Sequence, residues 1–411
     1  MDVLYARCCG VDVHKESISV CVLIREPGPS QQKHKAHFST VTAELLRCAD
    51  WLTSLGVTQV GMESTGVYWK PIWNLWEGQF QLMLANAAHL KRVPGRKTDA
   101  TDCEWIAQLV QHGLLPTSFV PGTELRDLRE LTRYRAQLVG DHGRVVNRIQ
   151  KVLEDANIKL ASVASDVVGK SGRLMLQALM AGQTDAAQLA DLARGQLRNK
   201  KADLQLALEG RLRPAHQYLL QQYWTQLQFL EQQLASVERQ IDSENPGFRE
   251  AAAILDTIPG IDGVAAWGII GEIGADMRQF PTAQHLASWA GMCPGNHQSA
   301  GKRLSGKTRK GSRWLRQKLC QAAWAASRTK NSYLSVLYHR LAARRGRRRA
   351  IVALGHTLLV ISYHLLQRRC TYQDLGADYF LRANAENLRK YHVKRLKQLG
   401  YDVQLTHTAA A

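Results

Sequence analysis

The segment CCGVDVHKESISVCVL, residues 8–23, contains two β-prone runs separated by the polar tripeptide His14-Lys15-Glu16. A polar gap of turn length between two such runs predicts two neighbouring strands. Residues 35–39, 59–63 and 81–85 are also β-prone, and helices fit residues 42–54, 67–76 and 99–112. Three opening strands followed by strand-helix-strand units are typical of a mixed sheet with helices on its faces. We therefore expect an α/β domain over residues 1–120.

The positive charge of the chain is concentrated in one segment. The 411 residues have a formal net charge of +19, and the segment from Met277 to Gln373 contains 19 Lys and Arg residues but no Asp or Glu. The rest of the chain has 35 basic and 35 acidic residues. Because self-repulsion disfavours such a segment unless a polyanion neutralises it, the bias predicts nucleic-acid binding. A basic surface that is only solvated is the alternative interpretation.

The cysteine pattern and the apolar stretches indicate the cellular setting. The eight cysteines form no CxxC pair and have no zinc-like spacing, so we expect reduced, mostly buried thiols. The N-terminal residues do not have the pattern of a secretion signal, and we interpret the longest apolar stretch, residues 350–366, as a buried helix. We therefore expect a cytoplasmic protein that does not bind a membrane.

From about residue 121 the sequence becomes leucine-rich and helical. One run keeps a 3-4 spacing without interruption over Leu220, Tyr223, Leu227, Leu230, Leu234, Val237 and Ile241. This spacing predicts a coiled-coil seam of three heptads. An earlier run, residues 128–152, is interrupted by Arg135 and His142, and there an ordinary amphipathic helix is nearly as good an interpretation.

These patterns divide the rest of the chain into three parts. We expect a helical coiled-coil region for oligomerisation at residues 121–246, which Asn245-Pro246-Gly247 ends, and a mostly α C-terminal domain at 247–370. A loosely ordered tail is expected at residues 371–411.

Four acidic residues stand at positions typical of a metal site. Asp12 ends the first strand, Glu63 ends the fourth, and Asp99 and Asp102 lie three residues apart at the start of a helix. If the two strands are neighbours, their carboxylates emerge at the same edge of the sheet. Converging carboxylates repel one another unless divalent cations bind between them, and Mg²⁺ suits such hard oxygen ligands. Taken singly, each acid is better explained as a turn, cap or solvated residue; the ordered set of four favours the metal site.

The C-terminal region contains a pattern typical of a helix-hairpin-helix. Residues 254–263, ILDTIPGIDG, are followed by a second helical run, residues 265–274. The backbone N–H groups near Gly260 and Gly263 could hold a DNA phosphate without reading bases. A plain pair of antiparallel helices is the alternative.

Residues 296–311, NHQSAGKRLSGKTRKG, combine glycines, hydroxyls and cations in one loop. A serine flanked by Gly and Lys could attack a phosphodiester, with neighbouring cations stabilising the charge on the phosphorane. The loop could equally grip phosphate without a covalent role. The candidate phosphate-binding residues are Lys302, Arg303, Lys307, Arg309, Lys310 and Arg313.

Taken together, these motifs resemble the IS-one-ten insertion-sequence transposases, DNA recombinases named for an Asp-Glu-Asp-Asp tetrad. The resemblance covers residues 8 to 330. It rests on Gly10-Val11-Asp12-Val13-His14-Lys15, Glu63-Ser64-Thr65-Gly66, Lys97-Thr98-Asp99-Ala100-Thr101-Asp102, and the block from Ile258-Pro259-Gly260 through Gly291 to Ser299-Ala300-Gly301-Lys302.

The resemblance implies a fold and a set of site residues. The N-terminal domain would have the RNase H-like fold of Holliday-junction resolvases, and Asp12, Glu63, Asp99 and Asp102 would be the metal ligands. The nucleophile would be Ser299, while Ser305, in a second Ser-Gly-Lys, stays an alternative. The family also implies a structured noncoding guide RNA, double-stranded donor and target DNA, and a homo-oligomer, a dimer or a tetramer.

The interpretation that best fits these observations is a transposase that cleaves and rejoins DNA with Mg²⁺ and a serine nucleophile. A metal-dependent Holliday-junction-type nuclease, whose serine only grips phosphate, is the second candidate. A non-catalytic nucleic-acid scaffold would need the basic segment and the coiled coil but not four carboxylates.

Overall fold

The computed structural model of the chain describes residues 2–26, 31–64, 66–86, 102–295, 297–299, 302–383 and 385–406. These residues belong to two compact units, Met1–Pro121 and Gly122–Ala411. We call them the sheet unit and the helical unit.

The sheet unit is built on a five-stranded mixed sheet. Its strands are β1 (Arg7–Val13), β2 (Ser17–Arg25), β3 (Gln31–Ser39), β4 (Gln59–Glu63) and β5 (Gln81–Ala85). The spatial order is β3-β2-β1-β4-β5, with β1, β2 and β3 antiparallel and β1, β4 and β5 parallel. The predicted mixed α/β sheet is confirmed, and this arrangement agrees with the RNase H-like fold that the resemblance implies.

Helices cover both faces of this sheet. On one face, α1 (Thr42–Ser54) and α2 (Trp69–Trp76) pack with Val11 and Val13 of β1 into the larger core cluster. On the other face, α3 (Asp102–Gln111) packs with Cys8 of β1 into a smaller one. Since the central strand is buried on both faces, β1 is apolar along most of its length instead of alternating.

The helical unit contains the remaining elements. Its helices are α4 (Thr123–Asp155), α5 (Leu160–Val163), α6 (Lys170–Met180), α7 (Ala186–Asp191), α8 (Lys201–Leu208), α9 (Pro214–Glu244), α10 (Arg249–Asp256), α11 (Gly263–Ile273), α12 (Ala283–Trp289), α13 (Arg313–Ala326), α14 (Tyr333–Arg345), α15 (Arg347–Arg368), α16 (Tyr379–Ala383) and α17 (Ala385–Gln398). Short 3₁₀ turns lie at Gly195–Lys200, Pro246–Phe248 and Met277–Gln279. A hairpin of β6 (His297–Ser299) and β7 (Lys302–Ser305) interrupts the helices. The sequence did not predict this hairpin, nor the two helices α16 and α17 in the tail.

The two longest helices, α4 and α9, pack along each other as an antiparallel pair. At successive contacts the residue number rises along α4 and falls along α9. Arg135 Nη2 lies 2.6 Å from Glu238 Oε1, and the His142 ring lies 3.2 Å from a Glu231 oxygen. The buried residues of α9 are His216, Leu220, Trp224, Leu227, Leu230, Val237 and Ile241. The predicted heptad seam is thus covered from within the chain by α4. Arg135 and His142 interrupt the apolar run of α4 because they bind acids on α9.

Helix α15 confirms the buried helix expected over residues 350–366. By length and composition alone α15 could cross a membrane, but half of its apolar stretch is buried in the fold, as in the core helix of an ordinary folded protein. Ala350, Leu354, Leu358 and Leu359 are among its buried residues.

The α4–α9 pairing predicts that Leu227 and Phe229 respond differently to truncation. Leu227 is fully buried in the seam, whereas Phe229, two residues later, is 55% exposed. Leu227→Ala should lower the free energy of unfolding by about 2–5 kcal/mol, because it leaves a cavity in a packed seam. Phe229→Ala should change it by less than about 0.5 kcal/mol.

Urea unfolding followed by helical circular dichroism measures both values. Sedimentation of the same two variants reports the oligomer. An equal loss of stability in both variants would contradict the seam described here, and a lower mass for Phe229→Ala alone would place the exposed face of α9 between protomers.

Candidate active site

The register between β1 and β4 brings two of the predicted acids together. Val11 pairs with Met62 in this parallel ladder, so the next pair along the strands is Asp12 beside Glu63. Side chains alternate between the faces of a sheet. Since Gly10 and Gly61 face α3, Asp12 and Glu63, each two residues further on, lie on the α3 face as well.

Helix α3 lies directly on these two strands. A Cβ atom at Gly10 would lie 2.1 Å from the carbonyl oxygen of Cys103, and one at Gly61 would lie 2.5 Å from Val110 Cγ2. Glycine is therefore required at both positions, because any side chain would displace the helix.

The direction of α3 places Asp102 at the carboxyl ends of the strands. The C-terminal Gln111 accepts backbone hydrogen bonds from Leu4 and Tyr5, just before β1, at 2.9 and 3.1 Å. The N-terminal residue of α3, Asp102, is therefore at the opposite end of β1, where Asp12 lies. The structure brings Asp12, Glu63 and Asp102 to one edge and one face of the sheet, and Asp99 lies outside the described residues.

The donor chemistry of this edge fits a hard divalent cation. Its side chains offer carboxylate oxygens, and one Asp12 oxygen lies 3.2 Å from His14 Nε2. Among the described residues, no three potential ligands are close enough to hold an ion. Asp12, Glu63 and Asp102 offer carboxylate oxygens at this edge, and their role as metal ligands stays a prediction. The predicted fourth ligand, Asp99, precedes α3 by three residues.

A pair of lysines on β3 fixes the first turn of α3. Lys33 Nζ lies 2.9 Å from Glu104 Oε1, and Lys35 Nζ lies 2.7 Å from Glu104 Oε2. The Glu104 side chain is only 13% exposed. Hydrogen bonds from Lys35 and then Lys33 hold the pKa of this carboxyl below its ordinary value of 4.5. Because Glu104 is two residues from Asp102, the lysine pair sets the position of Asp102 too. Lys33, Lys35 and Glu104 were not among the predicted site residues.

The two candidate nucleophiles lie at different positions along the β ladder of the hairpin in the helical unit. Ser299 pairs with Lys302 next to the turn, whereas Ser305 pairs with His297 at the other end of the ladder. The backbone of both serines is described, but their side chains are not. Lys302, Lys307, Arg309, Lys310 and Arg313 are exposed, and the side chain of Arg303 is outside the described part of the chain.

Arg316 of α13 fixes the base of this hairpin. Its guanidinium donates to the Gly291 carbonyl at 3.1 Å and to the Thr308 hydroxyl. Gly291 has φ of 66°, and a Cβ there would lie 2.8 Å from the backbone of Arg309 and Gly311. The two ends of the loop are thus held together by a tight backbone contact and one arginine. Arg316 was not among the predicted site residues.

A buried carboxylate connects helices that precede and follow the hairpin in the sequence. Glu272, at 2% exposure, accepts from Arg133 Nε at 2.6 Å and from Ser312 Oγ at 2.8 Å. Ser312 also caps the start of α13. One carboxylate therefore joins α4, α11 and α13, through an ion pair with Arg133 and a hydrogen bond from Ser312.

The glycines of the predicted helix-hairpin-helix have other contacts. Gly260 has φ of 89°, and a Cβ there would lie 2.4 Å from the carbonyl oxygen of Ala322, so this turn packs against α13. At the start of α11, next to Gly263, the Asp262 carboxylate accepts from Ala265 N at 2.7 Å. This cap competes with a phosphate for the same N–H groups. Helices α10 and α11 form the paired helices of the alternative interpretation, and phosphate binding by Gly260 and Gly263 stays a prediction.

Two protein-family models match the chain, one over the sheet unit and the start of the helical unit and one over the region with the hairpin. Residues 9–158 match the DEDD transposase model of the IS110 type, and residues 252–339 match the model described as Transposase IS116/IS110/IS902 family. The chain belongs to the IS110 family of transposases. The predicted family, IS-one-ten, is thereby confirmed, and the protein is a DNA transposase whose substrate is DNA. No curated protein matches the chain in sequence.

The matches place the candidate residues of this IS110 transposase in two family regions. The first contains Asp12, Glu63, Asp99 and Asp102, and a DEDD domain implies a divalent metal cation. The second contains the hairpin with Ser299. Residues 159–251, which include α9, lie outside both.

The lysine pair on Glu104 predicts a pH-dependent loss of stability on mutation. A carboxyl whose folded pKa is lowered stabilises the protein above its ordinary pKa, and this contribution disappears as the pH falls through the folded value. At pH 7, Glu104→Gln should therefore lower the free energy of unfolding by about 0.5–1 kcal/mol, and the difference should disappear as the pH falls through the lowered pKa of Glu104. Amide exchange in the first turn of α3 should become faster.

Glu44→Gln is the matched control, since Glu44 forms its ion pair with Arg47 within α1, away from α3. It should leave α3 exchange unchanged. Unfolding at several pH values and hydrogen exchange test this, and unaltered exchange in Glu104→Gln would mean that the lysines do not fix α3.

Proposed function

We propose that this transposase cleaves and rejoins DNA through a covalent phosphoserine on Ser299, with Mg²⁺ held by Asp12, Glu63, Asp99 and Asp102. The observation that carries the metal site is the β1–β4 register, which sets Asp12 beside Glu63 on the face where α3 begins with Asp102. Three elements then supply oxygen ligands at one sheet edge.

The cleavage step balances as a substitution at phosphorus. The Ser299 hydroxyl loses its proton to a base and forms an Oγ–P bond, while one P–O bond to a deoxyribose breaks and the leaving oxygen takes up a proton. Lys302, the backbone register partner of Ser299, would supply a cation that stabilises the charge on the phosphorane. Bound divalent cations would polarise the phosphate and stabilise the leaving oxygen.

The rejoining step reverses this substitution with a different strand. A free deoxyribose hydroxyl attacks the phosphoserine, the Oγ–P bond breaks, and Ser299 regains its proton. Because one phosphodiester-like bond is kept throughout, no water enters and no external energy source is needed. This is how a recombinase differs from a nuclease, which passes the phosphate to water.

The proposal includes the partners and regions that the family resemblance implies. A structured noncoding guide RNA pairs with donor and target DNA, and the protein acts as a homo-oligomer. The exposed Tyr218, Leu219 and Phe229 on α9 support an intermolecular contact within the region 121–246. Residues 1–120 act as the catalytic domain, 247–370 as the DNA-binding domain with the serine, and 371–411 as a tail.

The serine assignment is tested by trapping the adduct. Ser299→Ala should reduce cleavage by about a thousandfold or more and should eliminate any covalent protein–DNA species, because no other group can replace the hydroxyl. Ser305→Ala, the control in the same hairpin, should cleave and form the adduct. A nicked suicide substrate run on denaturing gels shows both products.

Two results would contradict this assignment. Cleavage by the wild type without an adduct would make the protein a metal-dependent nuclease of the Holliday-junction type. Loss of the adduct in Ser305→Ala but not in Ser299→Ala would move the nucleophile to Ser305.

The tetrad assignment predicts that each of Asp12→Asn, Glu63→Gln, Asp99→Asn and Asp102→Asn abolishes cleavage. Each should also reduce the rise in melting temperature that Mg²⁺ causes, since ligand binding to the folded state stabilises it. Removing one of several crowded carboxylates relieves repulsion, so the metal-free melting temperature should not fall. Asp50→Asn, an exposed acid of α1 on the opposite face of the sheet, is the control. Retained cleavage in two of the four variants would refute a shared site.

A further inference from the structure

The corner between α14 and α15 carries a dense group of cations. Five of the six residues from position 344 to 349 are arginines: Arg344, Arg345, Arg347, Arg348 and Arg349. We call them the arginine corner. All five are exposed, and in the described part of the chain no carboxylate forms an ion pair with them. The surrounding segment, Met277 to Gln373, contains no acid at all.

The backbone of the corner is fixed. Gly346 joins the two helices with φ of 78°, its N–H donates to the Ala342 carbonyl at 2.9 Å, and its own carbonyl accepts from Ala350 at 3.1 Å. Directly after the corner, Ala350 and Ile351 are buried in the core. The arginines therefore project from a rigid junction.

The arginines of α15 lie where they oppose folding. A helix N-terminus carries partial positive charge, which favours acids and disfavours cations in the first turn. The first turn of α15 contains Arg347, Arg348 and Arg349 and no acid. By contrast, Arg344 and Arg345 lie at the favourable C-terminal end of α14. Three cations thus add helix-dipole repulsion to their mutual repulsion, and a bound polyanion would relieve both.

Neighbouring cations of the same segment have partners within the protein. The Arg340 guanidinium lies 4.6 Å from the centre of the Phe380 ring, and Arg316 binds Gly291 and Thr308. These side chains stabilise the fold. Among the residues that the structure describes, no carboxylate or aromatic ring engages the arginine corner in this way, so its charge is available to a partner.

We propose that the arginine corner, which belongs to different elements from the hairpin cations, binds the phosphate backbone of duplex DNA. Charge complementarity identifies the ligand, and the family identifies DNA as the substrate of this enzyme. The last turn of α14 and the first of α15 together span about 10 Å, a length over which duplex DNA presents about six phosphates. Such contacts position the duplex without reading its bases.

The test compares the full-length wild type with a triple variant, Arg347→Gln with Arg348→Gln and Arg349→Gln. Binding to a 20-base-pair duplex of arbitrary sequence is measured over a range of salt concentrations. The slope of log K against log[salt] should become shallower by about 2 to 3, since each phosphate contact contributes about 0.9. Without DNA, the melting temperature should rise by about 1–4 °C, because unfavourable charges have left the helix start.

Two controls distinguish an effect of this site on the salt dependence of binding from a general effect of net charge. Lys394→Gln with Arg395→Gln and Lys397→Gln removes the same charge from exposed positions of α17 and should leave the slope within about 0.5 of the wild type. Arg347→Lys with Arg348→Lys and Arg349→Lys keeps the charge and should keep the slope. Opposite changes in stability and DNA affinity are the signature of the proposed site.

Three outcomes would overturn the proposal: an unchanged slope in the corner variant, an equal change in the α17 control, or a change seen only with a folded RNA in place of the duplex. The last would assign the corner to RNA. Because the measurement is of binding alone, its result is independent of whether Ser299 forms the covalent intermediate.

Discussion

The close approach of α3 to the centre of the sheet is the constraint on which the candidate active-site edge depends. At Gly10 the helix backbone lies so near β1 that a single methyl group would overlap the carbonyl of Cys103. Gly61 permits the same approach on β4. With the helix in direct contact with both strands, its first residue, Asp102, lies over the strand ends that carry Asp12 and Glu63. The absence of a Cβ atom at the two glycines is therefore required by the candidate site as much as by the core.

The elements of the sheet unit could be predicted from local patterns, and their contacts could not. The β-prone runs and the helix at 42–54 follow from composition and periodicity, which are local properties, and the structure has them within a few residues. The ion pairs of Glu104 with Lys33 and Lys35 join residues about seventy positions apart, and only the tertiary fold brings them together. Alternate lysines on a polar edge strand are the single sequence signal that could have directed attention to them.

In the helical unit, too, local patterns predicted the elements but not their contacts. The heptad run of α9 correctly predicted a buried stripe, but periodicity does not specify what covers the stripe. The partner that covers the stripe is α4. The sequence signal for this pairing was present in Arg135 and His142, the two polar residues that interrupt the apolar run of α4. Their partners on α9 are Glu238 and Glu231. The Ile-Pro-Gly turn was likewise recognised as a helix connection. Its contact with α13 at Gly260 depends on packing that no local pattern contains.

The hairpin that carries Ser299 is stabilised mainly from outside itself. Two strands of three and four residues are too short to be stable alone in water. Their geometry therefore depends on Arg316 and on the contact of Gly291 with Gly311, both at the base. Arg316 is in turn positioned by α13, whose first turn Ser312 caps while it binds the buried Glu272. An acid within a loop so rich in lysine and arginine would weaken the attraction of the loop for phosphate. Glu272, the carboxylate that positions Ser312, lies in the core and is paired with Arg133, so it adds no negative charge to the surface of the loop.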